Sequence, residues 1–170
     1  MIRHMNRKGI APMFSGIFII FIGVLFMGII IMFAIDYFNI LEDQQSYYNN
    51  QTTLTQINDT LLYLKTTSIG TNYITTIQNN NEIIFNSTQN SVTIEQDIKN
   101  PGAYTKSKVD RDYGNLNIRK TSSQFIYTLD LNGIVDLNND VVVNLGNHTI
   151  DLNVVGEENN IPIIEIRYKN

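Results

Sequence analysis

The chain has no cysteine among its 170 residues. That removes disulfide staples, thiolate nucleophiles, thiol redox chemistry and sulfur-ligated metal. Whatever folds here must be held by an apolar core, which a domain of more than about 100 residues can supply. Tryptophan is absent too, and histidine occurs twice, as His4 near the start and His148 far along the chain. With no second histidine nearby and no thiolate, zinc lacks a ligand set. No serine sits in a nucleophile-elbow pattern, no Gly-rich loop is shaped for phosphate, and the carboxylates are scattered. The sequence therefore points away from an enzyme, and no cofactor or metal is expected.

Charge is missing over one long stretch. Residues 10–35 contain no Asp, Glu, Lys or Arg, and no cation separates Lys8 from Lys65. These 26 residues include Ile17-Phe18-Ile19-Ile20-Phe21-Ile22 and Ile29-Ile30-Ile31-Met32-Phe33. About 20 apolar residues span a bilayer. A secretory signal has a shorter apolar region and a small-residue cleavage site after it, whereas here Asp36-Tyr37-Phe38 follows directly. Arg3, Arg7 and Lys8 precede the run, and Asp36, Glu42 and Asp43 follow it. The positive-inside rule then places the N-terminus in the cytoplasm and the remainder outside, as a single-pass membrane protein. Tyr37 and Phe38 fall where aromatic rings favour the outer interface. Pro12 lies in the first turn, where its missing N–H costs little. Gly16, Gly23 and Gly28 do not make a Gly-Xaa-Xaa-Xaa-Gly pair, so no dimer face is read from them.

From Asp36 onward nine Lys and Arg stand against sixteen Asp and Glu, a balance of −7. Such a segment lacks the basic patch that nucleic acid needs, so no nucleic-acid partner is expected. Polarity comes instead from Asn, of which the whole chain has 23, beside 27 Ile. An AT-rich genome accounts for that bias without invoking function.

Residues Arg7-Lys8-Gly9-Ile10-Ala11-Pro12-Met13, with an apolar helix following at once, resemble the N-terminus of archaeal type IV pilins and pilin-like proteins. The resemblance implies a leader ending in Arg7, Lys8 and Gly9. A prepilin-type peptidase would cut it before Ile10, leaving Ala11 and Pro12 as the early mature motif. Met5 would give a shorter leader if it were the start. The match covers about 25 residues. It departs from the bacterial pattern in having Phe14, not an acid, at the fifth mature position, and Gly16 falls seventh where many archaeal relatives have Gly sixth. Removing three cations from beneath an apolar helix would free it to leave lipid and pack against its copies. The resemblance thus implies a structural subunit of an extracellular filament, with the membrane, the peptidase and copies of itself or other pilin subunits as partners. The alternative is a permanently anchored surface protein with a β-rich binding head.

Helical periodicity continues past the run. Tyr37, Ile40 or Leu41, Tyr47 or Tyr48, Leu54, Ile57, Leu61 and Leu64 make an amphipathic stripe, without Pro or Gly from Asp36 until Gly70. One helix is expected from about Pro12 to Thr67. From Asn81 the pattern turns to period two, in Val92-Thr93-Ile94, Phe125 to Leu131, Val141 to Leu145, Ile150 to Val154 and Ile161 to Tyr168. Asn132-Gly133 reads as a hairpin turn, and residues 102–115 read as irregular. The expected fold is α+β: a long N-terminal helix followed by an antiparallel β-sheet or sandwich head of five to seven strands. The expected organisation is a leader at 1–9, a membrane or filament-core helix at 10–35, an extracellular helix continuation and linker at 36–80, and a β-rich head at 81–170.

Four Asn-Xaa-Ser/Thr acceptors fall on the expected outer side, at Asn50, Asn58, Asn86 and Asn147. They are the glycosylation candidates. Asp130, Asn132, Asp136, Asn138 and Asp140 form an acidic run that could suggest calcium. However, Ile134, Val135 and Leu137 break it, no closing Glu follows, and a turn explains it better.

Overall fold

A computed structural model describes residues 10–104 and 111–169. One helix, α1, runs Ile10–Leu64, and ten strands follow. The architecture is α+β, a long helix followed by antiparallel-rich sheets, as the sequence pattern implies. The chain divides into two units between Leu41 and Glu42. The first, apolar unit belongs to α1 throughout its described residues. The second contains the rest of α1 and all the strands, and is called the head below.

Backbone bonds and a glycine together end the helix. Thr66 and Thr67 turn their N–H groups back three residues to the Tyr63 and Leu64 carbonyls. Their hydroxyls donate to the same two carbonyls, both at 2.8 Å. Carbonyls that a helix end would leave unpaired are thus satisfied locally. Gly70 then takes φ +88°, a left-handed value that suits glycine, and its N–H reaches the Val154 carbonyl at 2.8 Å. The chain passes at once into β1 (Asn72–Asn79). Here the structure corrects the expected boundary. The β-rich region begins at Asn72 rather than 81, because Tyr73, Thr75 and Ile77 alternate with outward residues and Ile77 enters the core.

The remaining strands are β2 (Ile83–Asn86), β3 (Ser91–Asp97), β4 (Arg111–Tyr113), β5 (Leu116–Lys120), β6 (Gln124–Asp130), β7 (Asp136–Leu137), β8 (Val141–Val143), β9 (Gly146–Glu158) and β10 (Ile161–Lys169). A 3-10 turn at Pro101–Tyr104 precedes β4. One sheet has the order β1-β9-β10-β7 and the other β4-β5-β6-β3-β2-β8. All pairs are antiparallel except β10 with β7. Both sheets bury alternate residues, as half-solvated antiparallel sheets do. Ile150, Leu152 and Val154 face inward from β9, and Phe125, Tyr127 and Leu129 from β6. Leu54, Ile57, Leu61 and Leu64 of α1 belong to the same buried cluster. At about 1.5–3 kcal/mol for each fully buried large side chain, those four helix residues tie α1 to the head by several kcal/mol.

The Asn132-Gly133 turn does not make a hairpin. β6 already has β5 and β3 as its two neighbours, so no edge is open to a strand folding back on it. Instead Ile134 and Val135 both donate to the Leu131 carbonyl, at 2.9 and 3.2 Å, and the chain crosses to the other sheet as β7. Burial of Leu131, Val135 and Leu137 drives that crossing. A two-residue hairpin does form at Asn159-Asn160, between β9 and β10, where both residues have positive φ (51° and 64°). That geometry matches the right-handed twist of strands, and Asn tolerates it.

Candidate functional site

Within the first unit, every large apolar side chain from Ile17 to Ile35 is at least 36% exposed, and Phe33 reaches 70%. None of this stretch is buried within the chain. Sixteen such side chains lie between Ile17 and Ile35. At about 1.5–3 kcal/mol each between water and an apolar setting, the surface is worth tens of kcal/mol to whatever covers it. A helix apolar all round needs apolar surroundings all round. By length and composition this helix is able to cross a membrane, and the chain fits single-pass membrane association near its N-terminus. Arg7, Lys8 and Gly9 lie outside the described residues. Ile10, Ala11 and Pro12 open α1.

Within the head, α1 is joined to the sheets by a buried polar seam. Asp43 is 2% exposed, and its two carboxylate oxygens accept the backbone N–H groups of Lys99 (3.1 Å) and Asn100 (3.2 Å). Lys99 also pairs its ammonium with Glu42. Gln96, 2% exposed, donates to the Asp43 carbonyl at 2.9 Å. Its Oε1 accepts from Asn50 Nδ2 at 3.0 Å and from the Tyr127 hydroxyl at 2.8 Å. Asn50 in turn accepts from Asn81 at 3.2 Å. Burial holds the Tyr127 hydroxyl far above the usual tyrosine pKa, so it stays a neutral donor. Around the seam, Tyr47 meets the rings of Phe125 and Tyr127 at 5.4 and 5.7 Å. The chemistry is that of a lock: each buried polar group finds a partner only if helix, β3 and β6 keep one register.

The seam removes one glycosylation candidate. Asn50 is 1% exposed and commits its amide nitrogen to Gln96, so the folded head offers no acceptor there. Asn58 is half-buried on α1 and accepts from Asn115 at 2.7 Å. Asn86 is half-buried at the β2–β3 turn, with its oxygen on the Gln89 N–H at 2.8 Å. Asn147 is exposed near the start of β9. The acidic run is dispersed among separate partners. Asp130 accepts from Asn132, Asp136 from Asn90, and Asp140 from both the hydroxyl and the N–H of Ser87. The Ser87 hydroxyl, then its N–H, hold the Asp140 carboxyl below the usual range. His148 lies between the Leu145 carbonyl and the Tyr168 hydroxyl.

Sequence reading missed Asp43 and Gln96. Gln96 carried a signal, because it occupies an inward position in the alternation Val92, Ile94, Gln96, Ile98, and a polar residue there needs a partner. Asp43 carried none, since its partners are backbone groups 56 and 57 residues away.

No family model, curated protein or solved structure matches the chain.

Proposed function

We propose that the chain is a pilin-like structural subunit of an extracellular filament. Its leader is removed between Gly9 and Ile10, and it assembles through its apolar helix. The observation that carries this reading is the uncharged helix surface from Ile17 to Ile35, exposed on all sides and continuous in sequence with a helix that packs into a β-rich head. The Arg7-Lys8-Gly9-Ile10-Ala11-Pro12 motif supports it, since ordinary anchors need no cut at that place. Inserted in the membrane, the helix buries its surface in lipid. Freed of its leader cations, it buries the same surface against neighbouring helices. The head then faces outward, and its acidic, Asn-rich surface suits an extracellular setting. In this reading the partners are the membrane, a prepilin-type peptidase and other subunits; the role is non-catalytic and excludes nucleic acid. Mass spectrometry of the N-terminal peptide from the native host tests it. A mature start at Ile10 is expected. A start at Met1 or Met5 would make the helix a permanent anchor and the protein a surface-displayed binding head.

A further inference from the structure

A cup of about 740 Å³ opens in the head where α1, just after Leu41, meets the β1–β2 turn, the end of β3 and the β8–β9 turn. The polar seam forms part of its wall through Asp43 and Gln96. Small-molecule sites run to about 300–1,000 Å³, so the cup is of that size. Its charge is one-sided. Glu42, Asp43, Glu95 and Asp97 line it against one cation, Lys99, a balance of −3. Lys99 is already paired with Glu42, and Asp43 already holds two backbone N–H groups. Glu95 and Asp97 stand at exposed positions of β3, outside the inward alternation of Ile94 and Gln96. Among the described residues no cation pairs with either of them. Asp97 accepts the Gln124 amide at 2.9 Å and keeps its charge.

A buried acceptor in the same wall lacks a donor. Asn79 lines the cup and is 3% exposed. Its Nδ2 donates to the Asn81 and Asn144 carbonyls, at 2.6 and 2.9 Å. Those two bonds fix the orientation of the amide, since a flip would set its oxygen against two carbonyl oxygens. Oδ1 is therefore an acceptor, and no described group donates to it. Buried polar atoms in folded proteins have partners, and one that has none calls for a donor from outside the chain. Beside unpaired carboxylates, a donor that carries positive charge binds most strongly.

We propose that the cup binds a linear polyamine, a flexible chain of ammonium groups separated by methylenes. An ammonium offers donors and no acceptor, which suits carboxylates and the Asn79 oxygen alike. A single metal ion needs its oxygens gathered around one point. Among the described residues no three His, Asp or Glu side chains stand close enough for that. The carboxylates are instead spread over α1 and β3, and spread carboxylates match spread ammonium groups. Leu145, 65% exposed, also lines the cup. It gives the methylenes an apolar surface to lie on, as apolar surface receives the stem of a lysine. The cup lies entirely within the head, so its binding does not depend on leader removal.

Calorimetric titration of the full chain in detergent micelles with the triamine spermidine, at physiological salt, tests this. Saturable binding of one triamine per chain is expected. The double variant Glu95→Gln with Asp97→Asn should weaken it about tenfold, through the loss of two ion pairs. The control removes the same two charges at exposed Glu157 and Glu158, at the far end of β9 from Gly146. Glu157→Gln with Glu158→Gln should weaken binding less than about twofold, since charges more than a Debye length away are screened. Where loss of the Gln124 bond unfolds the first variant, Glu95→Gln alone serves, with about a threefold loss expected. Absence of saturable binding would overturn the proposal. So would equal losses in the two double variants, which would reduce the effect to attraction by an acidic head. Calcium chloride that displaces the triamine at equal concentration, or a monoamine that binds as tightly, would also overturn it, by showing that spaced charges are not what the cup selects.

Discussion

Gln96→Leu is the sharpest probe of the seam. Leucine nearly matches glutamine in volume, so the substitution opens little space and the loss is polar. Without the Gln96 oxygen, the Asn50 amide and the Tyr127 hydroxyl lose their acceptor in a buried setting. Each stranded donor costs about 1–3 kcal/mol. The pair therefore costs about 4 kcal/mol mid-range, and at about 4 °C per kcal/mol the head should melt roughly 15 °C lower. The Asp43 carbonyl also loses the Gln96 amide, so the figure is not an upper limit. With no tryptophan in the chain, near-ultraviolet circular dichroism reports tyrosine packing directly, and Tyr47 and Tyr127 sit at the seam. The double variant Gln96→Leu with Asn50→Leu should cost less than the sum of the two singles, by about 0.5–3 kcal/mol, because the partners share one bond. Additive losses, or a Gln96→Leu melt within a degree or two of the parent, would refute the claim that the seam holds the register of helix and sheet.

Other expectations follow from single residues. If the chain assembles into the proposed filament, Val24→Asp should prevent it, because a carboxylate at mid-helix costs about 2.5–3.5 kcal/mol in an apolar setting; electron microscopy reads this, while the head's circular dichroism stays unchanged. If the native host glycosylates the sequons, Asn147→Gln should shift the gel mobility of the mature protein and Asn50→Gln should not, since only the former side chain is exposed. Asp140 has a lowered pKa, so its bonds to Ser87 stabilise the head fully above the ordinary carboxylate pKa and weaken as pH falls through the folded value. The melting gap between the parent and Asp140→Asn should therefore narrow on acidification from pH 7 to pH 3. Tyr127 has a raised pKa, so its contribution is complete below pH about 10 and declines above it. Alkaline titration should show Tyr127→Phe losing less stability than the parent.

The apolar helix and the period-two strands were legible because each depends on spacing along the chain. Leu54, Ile57, Leu61 and Leu64 mark a helix face whatever they touch, and Phe125 to Leu131 mark a strand in the same way. The sites of error are those where partners decide. β1 was hidden inside an expected linker because its alternation is carried partly by Thr75, which is not apolar. Asn132-Gly133 carries the local chemistry of a hairpin, yet both flanks of β6 are taken, and that is a fact of the sheet rather than of the dipeptide. The burial of Asn50 depends on Gln96, 46 residues away; a sequon triplet carries no trace of it. Arg7, Lys8 and Gly9 lie outside the described residues, so their reading as a leader rests on the resemblance alone.

The two ends of α1 answer to different surroundings, and the sequence of each shows which. From Ile17 to Ile22 six consecutive side chains are exposed, so every direction around the helix is apolar. Such a surface cannot be satisfied by one sheet on one side; it needs lipid or several neighbouring helices. After Glu42 the apolar buried positions fall at Leu54, Ile57, Leu61 and Leu64, and the polar ones at Asp43, Asn50 and Thr53. Taken in chain order they step by seven, three, one, three, four and three residues and make a single stripe, which is what one head can cover. The stripe begins polar and ends apolar. Near Asp43 the contact with the head is made by hydrogen bonds that fix position, and toward Leu64 by packing that supplies most of the stabilisation. A contact built that way keeps the head folded on its own stripe whether the exposed part of the helix lies in lipid or among its copies. The filament subunit proposed above, which would move from one apolar setting to the other, needs that independence.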